Sequence, residues 1–511
     1  MSTIETGQLP DFKPQTSRMK KTVALGLATF IVNLTKIALA ALLARVLTLS
    51  DLAAYNQTLL AYQTFVPVLG LGITQALYYL LANNENRQTS MVRECLMILA
   101  MMGFLYSAFI LAGGRFFLAQ RVSNPQVANL LLWMVPLAIF VTPSEIRIPI
   151  WVYNDRLVLN AYFSAFSNLF NVLSVFFVAW IAKTAAAAVA THALSNITVS
   201  VVGLYLAYRM LTPDKDRMRL GSVKTILAFS LPLGLATMLG ALSHDLDKWI
   251  ISFMRSPEEY AVFSYGAYEL PFINTLSGIL STVIIVDMVE YAKRENYSMT
   301  LRLFRRIATL TSYFIFPIML YFMVVADPFY RLMYTDRMAN AVPVFRVYLL
   351  ALPIRTVLYG PLLIALGQNK QVLYKTIIGL VANLIMSVVL VYFIGTIGAT
   401  VATVLSLYLV YVPINLRLIS RRTKISWTQI LPFAHYGKCL LMALLPAGIT
   451  LLVMPLMRDL HHLYPIVIAA GIFALTTLPM YFLFFREDFL SFSNRLLRMV
   501  KGKFKSRSKQ A

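Results

Sequence analysis

Apolar stretches of roughly 20 or more residues recur along nearly the whole chain, each bounded by short polar connectors, and this pattern leaves few ways to fold. In hydrocarbon a backbone N–H or C=O has no water to bond, so a spanning segment must be a helix or part of a closed barrel. Barrel strands alternate apolar and polar residues; these runs are continuously apolar and read as helices. With 59% hydrophobic and 13% charged residues, the chain lies well outside the roughly 45–50% apolar composition of a soluble domain. The expected fold is all-α, a polytopic integral membrane protein.

Spans are expected at residues 22–46, 52–82, 91–117, 126–151, 157–182, 185–210 and 225–254. The second half adds 258–289, 301–326, 341–366, 372–393, 397–417, 436–457 and 463–485, for about fourteen in all. A net charge of +23 raises the question of a nucleic-acid partner, and the placement of the cations answers it. They fall on alternate connectors: Arg18, Lys20 and Lys21; Arg87 and Arg93; Arg156; Arg209 to Lys224; Lys293 to Arg306; Lys370 and Lys375; Arg421, Arg422 and Lys424; and a tail from Lys501 to Lys509. The intervening connectors are sparse, with Arg115, Arg121, Lys183, Arg255, Arg331, Arg337 and Arg458. By the positive-inside rule the first set is cytoplasmic, which puts both termini inside and requires an even number of spans. No nucleic-acid partner is expected.

Lys20 and Lys21 ahead of an apolar run imitate a secretory signal, but removing that span would leave an odd number and reverse the charge pattern. Cys95 and Cys439 fall at predicted cytoplasmic helix ends, so no disulfide framework is expected. There is no GxxxxGK[ST] loop, no HExxH and no cysteine pair at zinc spacing, so neither a cofactor nor a metal is expected. His461 and His462 lie in a short outer connector and read as solvated.

Two pairs of segments repeat. Ser50-Asp51-Leu52-Ala53-Ala54-Tyr55 leads between helices as Glu258-Glu259-Tyr260-Ala261-Val262-Phe263 does later. Asn154-Asp155-Arg156, a helix and Ala185 to Ala190 are echoed by Gln368-Asn369-Lys370, a helix and Ala399 to Thr403. Offsets of about 210 residues imply two six-helix bundles in the same orientation around a central cavity, plus two C-terminal helices. The expected divisions are a cytoplasmic tail (1–21), a first bundle (22–210), a cytoplasmic linker (211–224), a second bundle (225–418), two extra spans (419–485) and a basic tail (486–511).

Ala44-Arg45-Val46-Leu47 with Asp51 to Tyr55, Gly70-Leu71-Gly72-Ile73-Thr74-Gln75-Ala76-Leu77, and Ala365 to Lys370 followed by Asn383 and Gly395 to Thr403 carry a family likeness. Asp247-Lys248-Trp249-Ile250-Ile251 adds an acidic-basic pair. On these residues the chain resembles the polysaccharide exporters and Wzx-type lipid-linked oligosaccharide flippases of the multidrug/oligosaccharidyl-lipid/polysaccharide (MOP) superfamily. The resemblance implies a transporter and not an enzyme. Its expected work is to move a polyprenyl-diphosphate-linked oligosaccharide from the cytoplasmic to the outer leaflet of a bacterial inner (plasma) membrane, by alternating access. Membrane lipid, a coupling proton or cation, and glycan polymerase and export proteins are the implied partners. A cation-coupled small-molecule or drug exporter of the same superfamily is an alternative, as is a polytopic glycan polymerase, although the short outer connectors offer no sizeable catalytic loop.

Charges near the bilayer centre must face protein, water or a partner. At 1.5 Å per residue, Lys36 lies about 21 Å from the cytoplasmic end of the first span, Glu269 about 16 Å from the outer end of the eighth and Arg355 about 21 Å from the outer end of the tenth. The seventh span adds His244, Asp245, Asp247 and Lys248, with Asp245 and Lys248 on one face at i,i+3; His192 and Arg346 lie in outer halves. Lys36, Lys248 and Arg355 are the candidate substrate-binding cations, because cations compensate a diphosphate and Arg grips phosphate bidentately. Glu269, Asp245, Asp247 and His192 are candidates for ion coupling or pairing. Glu145 and Arg147, between Pro143 and Pro149, suggest a kinked inner vestibule or a helix-end ion pair.

Overall fold

The computed structural model describes residues 16–83, 87–214, 220–268, 270, 273, 287–457 and 459–485, and the regular structure among them is helical. The first span is α1 (Thr16–Val46). The second is α2 (Leu49–Gly70) and α3 (Ile73–Asn83), interrupted at Leu71 and Gly72, both at positive φ. Gly72 is required there twice over: its φ is +71°, and a Cβ would lie 2.3 Å from the backbone of Gly234 and Ser230. The third span is α4 (Gln88–Phe109) and α5 (Arg115–Arg121), joined by a π turn (Ile110–Gly114). The fourth is α6 (Gln126–Leu130), a 3₁₀ turn, α7 (Met134–Ser144) and α8 (Arg147–Tyr153). Then come α9 (Leu157–Ala182), α10 (Ala185–Tyr208), α11 (Leu220–Met254), α12 (Pro257–Gly266) and α13, described at residues 287–293.

The remainder is α14 (Tyr297–Met333), α15 (Ala341–Leu349), α16 (Tyr359–Ala365), α17 (Asn369–Ile394), α18 (Thr396–Ser406), α19 (Val412–Thr423), α20 (Phe433–Val453) and α21 (Leu463–Phe484). Among the described residues, 12 helices are long and apolar enough to cross a membrane. Half of the expected eighth span, at 258–289, lies outside the described residues. The expected tenth, at 341–366, is corrected: it is no continuous helix but α15, a 3₁₀ segment (Leu352–Thr356), two extended residues and α16.

The chain divides into two compact units, one of residues 1–39, 57–120 and 124–241, the other of 40–56, 121–123 and 242–511. In the first, Leu77, Val92, Cys95, Ile150 and Trp151 form a buried core. In the second, Phe304, Leu362, Leu363, Ile419 and Ile430 do the same. Both cysteines are buried free thiols.

The internal repeat is written in the turns. Thr48 Oγ1 accepts the Asp51 N–H at 3.1 Å at the start of α2, and Ser256 Oγ accepts the Glu259 N–H at 3.2 Å at the start of α12, 208 residues on. A second match holds at an offset of 212 residues. The seven-residue α8 precedes the 26-residue α9, and the seven-residue α16 precedes the 26-residue α17. Between them, Asp155 and Gly367 both take positive φ, and the next N–H closes onto the carbonyl five residues back, Arg156 to Trp151 at 2.8 Å and Gln368 to Leu363 at 2.8 Å. Lys183 and Gly395, again 212 apart, end the long helices at positive φ.

Candidate functional site

Lys36 sits ten residues short of the end of α1, about 15 Å along its axis. Its side chain is exposed, and it has no hydrogen-bond or ion-pair partner among the described residues. His192 on α10 is half-buried; its carbonyl accepts the Asn196 side chain at 2.7 Å. In α11 the expected pairing is present: Lys248 Nζ donates to Asp245 Oδ1 at 2.8 Å, and His244 Nδ1 lies 3.1 Å from the same oxygen. The i,i+3 spacing produces this directly. Asp247, two residues from Asp245, turns to the other side of the helix, is 3% exposed and accepts the Lys248 N–H at 2.8 Å. Glu269 lies outside the described residues.

The fourth span bends where its prolines allow. Pro149 has no N–H for the Glu145 carbonyl, and the turns at Glu145 and Ile146 close through long bonds of 3.4 and 3.5 Å. Glu145 and Arg147 form no ion pair, because residues two apart on a helix point to different sides. Arg147 turns toward α9 and α10, with its guanidinium 5.9 Å from the Phe163 ring centre and its stem in the space that Gly203 leaves open.

The tenth span opens fully. Val357 (φ −139°, ψ 154°) and Leu358 (φ −103°, ψ 99°) are extended, and half-buried Arg355 lies just before them. Such a break frees carbonyls that lipid cannot satisfy. Neighbours supply the donors: Thr311 Oγ1 reaches Thr356 O at 2.6 Å and Tyr408 OH reaches Leu350 O at 2.9 Å. The Thr356 hydroxyl also meets Tyr436 OH at 2.6 Å. A discontinuous helix backed in this way is the form in which transporters present irregular backbone to cargo or ions.

Sequence reasoning missed two polar features. Lys375, 8% exposed, donates from Nζ to Asn415 Oδ1 at 2.6 Å, joining α17 to α19. At the start of α4, Thr89 Oγ1 donates to Thr212 O at 2.6 Å and Ser90 donates from both its N–H and its hydroxyl to Asp214. What burial Asp214 has opposes its ionisation, but the Ser90 and Thr89 bonds and nearby Arg93 outweigh it and hold the carboxyl below the usual range. Both features join residues far apart in the chain, so no local pattern announces them. Among the described residues no cluster of three or more His, Cys, Asp or Glu is placed to hold a metal.

The model of a family described as polysaccharide biosynthesis protein matches residues 19–289, more than half of the chain. The chain belongs to this polysaccharide biosynthesis protein family. No curated protein matches it. Among solved structures, the lipid II flippase MurJ in an inward closed conformation is similar with a TM-score of 0.73 and 15% identity, over 91% of this chain and 99% of MurJ. An inward-facing multidrug resistance MATE family transporter of the MOP superfamily gives 0.60 and 14%, over 79% of this chain and 99% of that one. A MOP superfamily transporter from Pyrococcus furiosus gives 0.59 and 12%, over 80% and 97%. The fold is therefore that of the MOP superfamily, as the sequence resemblance implied.

Proposed function

We propose that this family member is a flippase that carries a polyprenyl-diphosphate-linked oligosaccharide from the cytoplasmic to the outer leaflet of a bacterial inner membrane, with both termini cytoplasmic. Lys36, Lys248 and Arg355 are the cations proposed to compensate the diphosphate, and an alternating-access cycle moves the glycan while the lipid tail stays in the bilayer. The observation that carries the reading is Lys36, a mid-span cation with no hydrogen-bond or ion-pair partner among the described residues. A cation at a helix centre costs roughly 2.5–3.5 kcal/mol on insertion scales, which an anionic cargo offsets. The family membership and the MurJ-like fold support the same substrate class.

The test is translocation of a polyprenyl-diphosphate oligosaccharide in proteoliposomes containing the full chain, with Lys36→Ala and Arg355→Ala alongside. Transport by the parent, lost in both variants at unchanged abundance, is the expected result. No movement across several glycans would reject the reading in favour of a small-molecule exporter; reduced folded protein in the variants would assign these cations to the scaffold.

A further inference from the structure

A cavity of about 370 Å³ lies where the first turns of α14, the start of α20 and the end of α21 meet, all within the second unit. Arg305, Lys438, His435 and Thr428 line it, with Phe433 and Phe485 as aromatic walls. Among the described residues its lining contains no carboxylate. Arg305 is half-buried and Lys438 exposed, and neither has a hydrogen-bond or ion-pair partner among the described residues. His435 turns inward, with Nε2 3.4 Å from Cys439 Sγ and its ring against Tyr313, so the cavity's fixed charge comes from Arg305 and Lys438.

Local electrostatics are set against themselves here. Lys438 stands in the second turn of α20, near the positive end of the helix dipole, and no side chain caps that end. Two cations and a helix N-terminus that converge without a counter-charge among the described residues are stabilised by an anion with several acceptor oxygens. The level in the membrane narrows the choice. Arg421, Arg422 and Lys424 end α19 at the same pole, followed by exposed Trp427, the basic and aromatic mixture found at headgroup depth. From Lys438 an exposed apolar stripe continues along α20 through Leu441, Leu445 and Leu452, spaced as one helix face. A soluble phosphate would use the cavity alone, whereas a phospholipid bound there would also lay its own acyl chains along that stripe.

We infer that this cavity binds the phosphate of an anionic membrane phospholipid whose acyl chains lie along the Leu441–Leu445–Leu452 face of α20. The experiment titrates phosphatidylglycerol, phosphatidylcholine and inorganic phosphate into the detergent-solubilised full chain and reads thermal stabilisation, which rises with ligand occupancy. Phosphatidylglycerol should stabilise at concentrations at least tenfold below phosphatidylcholine, inorganic phosphate should have little effect, and Arg305→Gln with Lys438→Gln should remove the preference. Arg422→Gln, a cation at the same pole but outside the cavity, should retain it. Equal stabilisation by inorganic phosphate, an unchanged preference in the double variant, or an equal loss in Arg422→Gln would each overturn the inference. If the double variant fails to fold, Lys438→Gln alone, at an exposed position, must still weaken phosphatidylglycerol binding severalfold for the inference to stand.

Discussion

The fourth and tenth spans are interrupted at equivalent points, 212 residues apart, yet by different means. In the fourth, residues 145 and 146 keep helical dihedrals and the kink is made within the span, by Pro149 and by Ser144, whose hydroxyl returns to Val141 O at 2.7 Å. In the tenth, residues 357 and 358 are extended, and donors from α14 and from the π turn Leu407–Tyr411 hold the freed carbonyls. One break is encoded locally and the other is enforced by its surroundings. The local break carries Glu145 and Arg147; the enforced one carries Arg355. A rigid, externally braced break is the better platform for a residue that must meet cargo in a fixed geometry.

If that difference matters to function, the largest effect belongs to the charge at the braced break. Arg355→Ala should reduce glycan translocation by 100-fold or more while leaving the melting temperature within a few degrees, whereas Glu145→Gln should lower transport by less than tenfold; equal losses at both sites would erase the distinction. Next in size is the brace itself. Thr311 is fully buried, and its hydroxyl proton has three carbonyls in reach, of which Thr356 O at 2.6 Å is the shortest. Thr311→Val keeps the shape but strands that carbonyl, a loss of about 1–3 kcal/mol that thermal unfolding in detergent would register. Tyr408→Phe removes the partner of Leu350 O near the surface and should cost only about 1 kcal/mol.

The sequence made much of this architecture legible. Long apolar runs fix helices because lipid permits little else, and the repeat showed in short turn segments whose backbone requirements, a cap or a positive φ, restrict the residues allowed. The kink in the fourth span was visible in Pro143 and Pro149. The break in the tenth was not, although Pro353, Gly360 and Pro361 stand there, because the donors that make an extended segment tolerable come from Thr311, Tyr408 and Tyr436, 45, 58 and 80 residues away from their partners. The same holds for Lys375 and Asn415, 40 residues apart. Among the candidate site residues, the Asp245–Lys248 pair followed from helical spacing, and the helix-end pair offered for Glu145 and Arg147 was already disfavoured by their separation of two. The environment of Lys36 depends on packing that no periodicity encodes.

The smallest expected effect is also the sharpest test of local against enforced. Pro149 and Pro361 are each the third residue of a seven-residue helix, at positions 212 apart. Proline is tolerated in a first helical turn because the missing N–H has no intrahelical partner there, so replacing either by Ala should change stability by no more than about 0.5 kcal/mol. The consequences for the backbone should nonetheless differ. In Pro149→Ala the new N–H finds the Glu145 carbonyl four residues back, with residues 145 and 146 already helical, so α7 and α8 can merge and amide exchange over residues 145–150 should slow severalfold. In Pro361→Ala the new N–H looks back to Val357, which is extended and followed by extended Leu358, while Thr311 and Tyr408 continue to hold the carbonyls on the far side of the break. Exchange over residues 357–362 should stay as it was. Slowing at both sites would mean that the tenth span is broken by its own proline and merely decorated by its neighbours; slowing at neither would mean that the fourth span, too, is held bent by what packs against it.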